Sequence, residues 1–269
     1  MTGITPVHFF DIDSILPGSS RSWSSSTLKI RMVLNYKTIP YTQSFISYPD
    51  IAPLLKSMSV APHKKGRMLY TLPAICHPDS VKANPAGAMM DSLPIACHLD
   101  RIFPSPPLFP SGPASYALAL AVENIMFRAA GKGLFLLLPK AVNVLDERGK
   151  DYFIRTRTEW FGKPLLDLEI TEEDEVRTTI IAMKSELDIF LRMLKDRPEG
   201  VVGPFFEGEK AGYADFILVT FLSWGHRVDM RVWEEMMGMG DGEFRALWDA
   251  CLPWMEGQGE DREWQIPAI

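Results

Sequence analysis

The sequence predicts an α+β protein: a small βαβαββα domain followed by an all-helical one. Three observations carry that reading. Strand-like and helix-like periods alternate over the first hundred residues, a proline-rich run interrupts the chain at 103–113, and strand signals nearly vanish beyond it. The expected boundaries are 1–104 for the first domain, 105–113 for a linker and 114–269 for the helical domain.

"VHFFDI", Val7 to Ile12, is apolar and aromatic, and reads as a buried strand ending at Pro17, Gly18 and a serine cluster. From Ser26 the period changes. Leu28, Met32 and Leu34 to Tyr36, with Lys29, Arg31 and Lys37 between them, suit a helix capped near Ser26 that Pro40 ends. "YTQSFISY" alternates as a strand, and Ile51 to Met58 has helical spacing. A Pro/Gly/basic loop leads to "LYTLPAIC", Leu69 to Cys76, the next strand, with "SVKAN" expected to pair with it as an edge hairpin. Asp91 to Ile102 repeats apolar residues at Leu93, Ile95, Ala96 and Leu99, a helix with Pro94 in its first turn. The resulting order, β-α-β-α-β-β-α, is that of a thioredoxin-like domain.

Pro73 sits inside the "LYTLPAIC" strand although proline has no N–H for a ladder. It either turns an edge or is a cis proline that presents its neighbour's backbone to a ligand, and the residues alone leave both open.

"FPSPPLFPSGP", Phe103 to Pro113, holds five prolines and one glycine and reads as a linker. Helical spacing follows at Ser115 to Phe127, Asp151 to Trp160, Thr171 to Lys195, Tyr213 to Arg227 and Asp241 to Trp254. In the third of these Thr171 is expected to cap, Asp174 falls at N3, and acids fill the first turn where the helix dipole favours them. Ile180, Met183, Leu187, Phe190, Leu191 and Leu194 give it one apolar stripe.

Composition narrows the function. At 269 residues, 46% hydrophobic and 23% charged, the chain is an ordinary globular sequence with enough apolar surface to fold. A net charge of −6 argues against a general nucleic-acid surface, and the one basic run, "HKKGR" from His63 to Arg67, is too short to reverse that. It reads as a solvated loop tip or as an anchor for one small anion. Three cysteines, Cys76, Cys97 and Cys251, have no disulfide or zinc spacing, and the five histidines show no metal spacing. A cytoplasmic protein without metal is expected, since no leader or membrane-spanning run is visible. No Walker A or GxGxxG loop appears, and positions 22–27 lack the cysteine that thiol-disulfide chemistry would need at the first helix.

With Pro73 at a strand start, the stretches "WSSSTLKIRMVLNYKTIPY", "YPDI", "YTLPAI", "DSLPIACHLD" and "PLFP" together resemble the cytosolic glutathione S-transferase family, in its etherase-like branch from fungi and bacteria. The resemblance runs from Phe9 to about Trp254. That branch commonly carries Trp-Ser-Pro-Asn-Thr before its first helix; Trp23, Ser24 and Thr27 match, and Ser25 and Ser26 replace the proline and asparagine. The resemblance implies that Pro73 is cis and that Leu72 pairs its backbone with the cysteinyl backbone of glutathione. It further implies that Asp91 and Ser92 hold the γ-glutamyl end, Ser92 taking the carboxylate and Asp91 facing the ammonium. Ser24, with Ser26 second, is expected to donate to the glutathione sulfur. Lowering a thiol pKa by about one unit needs only ~1.4 kcal/mol of differential interaction, which a hydroxyl and a helix N-terminus can supply.

Lys64, Lys65, Arg67 or Lys56 could meet the glycine carboxylate of glutathione. "GYADFILVTFLSW" resembles the family's buried helix with a capping motif, with Asp215 bonding back to its start and Gly212 in place of the usual Ser or Thr. An apolar acceptor pocket is expected from Tyr116, Met126, Phe127, Phe135 and Trp224. The resemblance implies a homodimer that adds glutathione to an apolar electrophile. A cis/trans isomerase or etherase would use the same thiolate, and a non-catalytic carrier of aromatic metabolites is the alternative from another class.

Overall fold

The computed structural model describes residues 5–267. Strand β1 (Val7–Ile12) is buried along its whole length. Phe9 and Phe10 have no exposed surface, and each such side chain contributes on the order of 2 kcal/mol by leaving water. Helix α1 (Ser25–Tyr36) crosses to β2 (Tyr41–Ile46), which pairs in parallel with β1 from Val7–Tyr41 to Ile12–Ile46. After helix α2 (Ile51–Ser57) come β3 (Ala74–Cys76), antiparallel to β1, and β4 (Ala88–Met90), antiparallel to β3. Helix α3 (Ser92–Ile102) closes the expected βαβαββα order.

Three details differ from the sequence reading. The third strand starts only at Ala74, because Pro73 offers no N–H and the chain before it is irregular. "SVKAN" is no hairpin strand. The side chain of Asn84 bonds both the carbonyl and the N–H of Ala88, at 2.7 and 3.0 Å, turning the chain into β4. Gly87, at φ +63°, packs so closely on Pro78 that a Cβ would lie 2.3 Å from its Cα. Lys29, Arg31 and Lys37, placed between apolar positions of α1, are all buried. The Lys37 Nζ satisfies this burial by bonding the carbonyls of Phe103 and Pro106 and the carboxylate of Asp100, which pins the start of the proline-rich run.

The described chain divides into two compact units, the first formed by residues 5–107, 146–152 and 254–267, the second by 108–145 and 153–253. Residues 254–267 had been expected in the helical domain. They instead add a short strand, β5 (Glu260–Asp261), to the exposed side of β2 in parallel, giving the order β4-β3-β1-β2-β5. Trp264 lies 4.5 Å from the ring of His8 and 4.9 Å from that of Phe10.

In the second unit α4 (Pro113–Lys132), a short α5 (Leu134–Leu137), α6 (Glu147–Phe161), α7 (Glu173–Lys195), α8 (Tyr213–Val228), α9 (Met230–Met237) and α10 (Glu243–Glu256) follow in order, α6 and α10 each having one end in the first unit. Helix α4 packs on α7 and α8, and α9 on α8. Helix α7 begins at Glu173 with Glu172 in the cap position, so Thr171 does not cap it. Asp215 is buried at the start of α8 and accepts the N–H groups of Gly212 and Phe206, each at 2.8 Å. Burial pushes its carboxyl up to about 7 despite those two donors.

Candidate functional site

One end of the sheet sets Pro73 and Asp91 beside each other. The β1–β3 ladder ends at Phe10–Ala74, so its register continues with Asp11 opposite Pro73. On the other side Met90 pairs with Ala74, and the next residue, Asp91, donates its N–H to the Pro73 carbonyl at 3.1 Å. The Leu72–Pro73 peptide is cis. Leu72 is 4% exposed, yet its N–H and C=O find no hydrogen-bond partner among the described residues. A free backbone edge of this kind accepts an extended peptide as a strand accepts a neighbour.

Helix α3 starts at Asp91, directly beside Pro73, and the cap residue of α1 comes two residues after Ser22, whose hydroxyl bonds Asp11. Ser24 occupies the cap position of α1 with extended backbone angles, and its carbonyl accepts the first helical bond from Leu28 at 2.9 Å. Its hydroxyl makes no capping bond, so the α1 N-terminus keeps N–H groups and the positive end of the helix dipole for another acceptor. Ser25 and Ser26 fill the first two helical positions, and all three serines are half-buried. Asp91 occupies the cap position of α3, again without a side-chain cap, and Ser92 is its first residue.

Asp91 holds φ +80° and ψ 130°, a conformation costing a non-glycine residue about 1–3 kcal/mol. Its Oδ1 lies 3.3 Å from Nε2 of His63 and 3.4 Å from the Thr71 hydroxyl. Sequence reasoning missed both partners, although His63 belongs to the basic run that was singled out. The rest of that run is exposed, in a loop closed by the His63 N–H on the Leu69 carbonyl. Lys56 lies with its Nζ 5.7 Å from the centre of the Tyr70 ring.

Beneath the serine loop, Ser22 and Trp23 are buried. The Trp23 indole N–H has no partner among the described residues. Arg21 pairs with Asp13 at 2.9 Å and lies over the Phe45 ring, fixing the chain that leads into α1.

Of the expected acceptor residues, all in the second unit, Tyr116 and Phe127 are exposed on α4, eleven residues apart and so on one helix face. Met126 is 5% exposed, on the buried side with Val122 and Ala129. Phe135 meets Phe161 edge-on at 5.2 Å, and Trp224 lies 6.1 Å from Phe221. Among the described residues no ring contact joins Tyr116, Phe127, Phe135 and Trp224 to one another.

Burial pushes the thiols of Cys76, Cys97 and Cys251 above the ordinary cysteine value, Cys251 most, which is the direction away from a reactive thiolate. Among the described residues no group of three or more His, Cys, Asp or Glu is arranged to hold a metal ion. No described helix is long and apolar enough to cross a membrane.

Comparison with known proteins bears on the same architecture. Residues 117–254 match the family model for the glutathione S-transferase C-terminal domain. A glutathione S-transferase-like protein of Aspergillus flavus, ustS, is 67% identical over 266 residues, covering 98% of this chain and 96% of that protein. Among solved structures, a glutathione S-transferase of Ceriporiopsis subvermispora in complex with glutathione matches with a TM-score of 0.81 and 27% identity, over 93% of this chain and 98% of that one. Glutathione transferase GSTFuA2 of Phanerochaete chrysosporium matches with a TM-score of 0.77 and 27% identity, over 93% and 98% of the two chains.

Proposed function

This chain belongs to the glutathione S-transferase family, and we propose that it binds glutathione along the Leu72–Asp91 row, stabilises its thiolate at Ser24, and adds it to an apolar electrophile. The observation that carries this reading is the free backbone of Leu72 beside the N-terminus of α3, whose cap residue Asp91 bonds the Pro73 carbonyl, in a unit whose α1 also starts without a side-chain cap.

Each end of a tripeptide thiol finds a matching group. Leu72 offers an N–H and a C=O to the central cysteinyl residue. Ser92 and the first amides of α3 take the γ-glutamyl carboxylate, and the Asp91 carboxylate faces the ammonium. The nearby basic loop, Lys64, Lys65 and Arg67, supplies positive charge for the glycine carboxylate. The Ser24 hydroxyl donates to the sulfur, and the α1 dipole favours the anion.

Ser24 need not act as a base. It holds the thiolate, whose proton leaves to solvent, and a new S–C bond forms as the electrophile's leaving group departs or its neighbouring carbon takes a proton. Rate then comes from thiolate population and from orientation of two bound reactants. Tyr116, Phe127, Phe135 and Trp224 are the residues we propose for the acceptor side. Isomerisation and ether cleavage would draw on the same thiolate, and a homodimer in the cytoplasm is the proposed assembly and location.

Calorimetric titration with glutathione, followed by conjugation assays with an activated aryl halide and a conjugated enone, tests the reading. Glutathione binding with turnover of either electrophile supports it. Binding of apolar ligands without glutathione binding contradicts it and favours a carrier.

A further inference from the structure

A buried charge network runs beneath the serine loop and ends in the C-terminal tail. Asp11 and Arg31 form an ion pair at 2.9 Å with both side chains wholly buried. Asp11 Oδ1 accepts the Ile12 N–H at 2.8 Å, while Oδ2 accepts both Arg31 Nη2 and the Ser22 hydroxyl, the latter at 2.5 Å. Arg31 Nη1 donates to Gln43 Oε1 at 2.5 Å, to Gln258 Oε1 at 2.9 Å and to the Tyr41 hydroxyl at 3.4 Å. Phe9 and Phe45 lie 5.3 and 5.6 Å from its guanidinium carbon.

The tail is held to the same group of residues. Gln43 donates through Nε2 to Asp261 at 2.6 Å, its Oε1 accepts the Gly259 N–H at 3.2 Å, and its backbone carbonyl accepts the Arg262 N–H at 2.8 Å. Ser44 donates to the Arg262 carbonyl at 2.5 Å. Residues 258–262 thus bond the β2 side of the network, while Ser22 bonds its other side, two residues before Ser24.

A buried ion pair is weak evidence for stability, since well-packed apolar residues often replace one without loss. What this one specifies is position. Asp11 lies opposite Pro73 in the continued register, and the Ser22 proton is committed to Asp11, so the chain entering α1 is tied to the glutathione row rather than to a flexible loop. We propose that Ser22 is a positioning residue for the Ser24 hydroxyl, locked by Asp11 and Arg31, and that the C-terminal tail completes the lock through Gln258. This rests on the transferase reading of Ser24.

The test uses the full-length chain and three substitutions: Ser22→Ala, Gln258→Leu, and Gln258→Glu, which keeps an acceptor for Arg31. Amide hydrogen exchange of residues 22–28 is measured without glutathione. The bound thiol is then titrated, and kcat is compared with KM for glutathione. Ser22→Ala is expected to speed exchange of that segment about tenfold with the rest of the sheet unchanged, and to raise the bound thiol pKa by about half to one unit. It should lower kcat at pH 6.5 by about three- to tenfold, the matching loss of thiolate, with KM within about twofold. Gln258→Leu should shift the same readings less, and Gln258→Glu should restore them.

Uniformly faster exchange, or a Ser22→Ala thiol that titrates as in the parent, overturns the positioning role. An effect of Ser22→Ala without one of Gln258→Leu overturns the part assigned to the tail. A parent protein whose bound thiol is unmoved contradicts the transferase reading and with it the role. A parent that lowers the thiol pKa beside an unresponsive Ser22→Ala contradicts the positioning role alone.

Discussion

The Asp91 N–H donates to the Pro73 carbonyl at 3.1 Å, one step past the Met90–Ala74 pair, so the β3–β4 ladder runs directly into the proposed glutathione site. That bond helps hold a non-glycine residue at φ +80°, where its backbone is strained and its carboxylate meets His63 and Thr71.

Strain at Asp91 sets stability against binding. Asp91→Gly should raise unfolding free energy by about 1 kcal/mol, because glycine adopts that backbone freely, while weakening glutathione about tenfold through loss of the partner for its ammonium. Denaturant unfolding and calorimetry read the two effects separately. A variant that binds glutathione as tightly as the parent contradicts the role given to the carboxylate.

The tail makes the first unit sensitive to acid. Burial, then the nearby Arg262 charge, lowers His8 from its ordinary 6.5 to about 4, and its ring nitrogens face Thr42 and Ser44 at 2.7 and 3.0 Å. The unfolded chain therefore takes the proton first. His8's contribution is intact above about pH 6.5 and declines as pH falls toward 4, a loss of roughly 3 kcal/mol. Unfolding measured at pH 7 and 4.5 should show that slope, and His8→Gln should flatten it.

Asp215 acts in the opposite direction. Its carboxyl is raised from 3.8 to about 7 by burial, so the folded state holds a proton that the unfolded chain has released. The resulting stabilisation is complete below about pH 4 and is lost as pH rises through 7, on the order of 4 kcal/mol in all. Asp215→Asn should remove this slope, yet cost about 1–3 kcal/mol at pH 4, because its amide group opposes one of the two backbone donors of Gly212 and Phe206. Parallel unfolding curves for the two proteins across pH 4 to 8 would contradict the assignment.

Local signals made most of the fold legible. The apolar run of β1, the period of α1, the serine run before α1 and the Asp91–Ser92 pair at the start of α3 each announce themselves within a few residues. The resemblance to a family motif singles out Leu72, Pro73, Asp91 and Ser92, and the structure makes the Leu72–Pro73 peptide cis and bonds the Asp91 N–H to the Pro73 carbonyl. Arg31 was not legible as a buried charge, because its partner Asp11 is twenty residues away and charged positions on a helix usually mark its wet face. The tail was less so. Glu260 and Asp261 are exposed and polar, and they form a strand only because β2 presents an open edge. Trp264, an aromatic ring in a polar tail, was the one hint that it packs on something.

The central claim is that Ser24 donates to the glutathione sulfur, and ultraviolet titration of bound glutathione between pH 5 and 9 tests it most directly. Because the Ser24 hydroxyl makes no capping bond, Ser24→Ala should leave the fold within about 0.5 kcal/mol of the parent. The parent should show thiolate absorbance with a pKa at least about one unit below the free thiol, and Ser24→Ala should return it toward solution while Ser26→Ala does not. A parent whose bound thiol titrates as in water, or a shift that only Ser26→Ala abolishes, would contradict the claim.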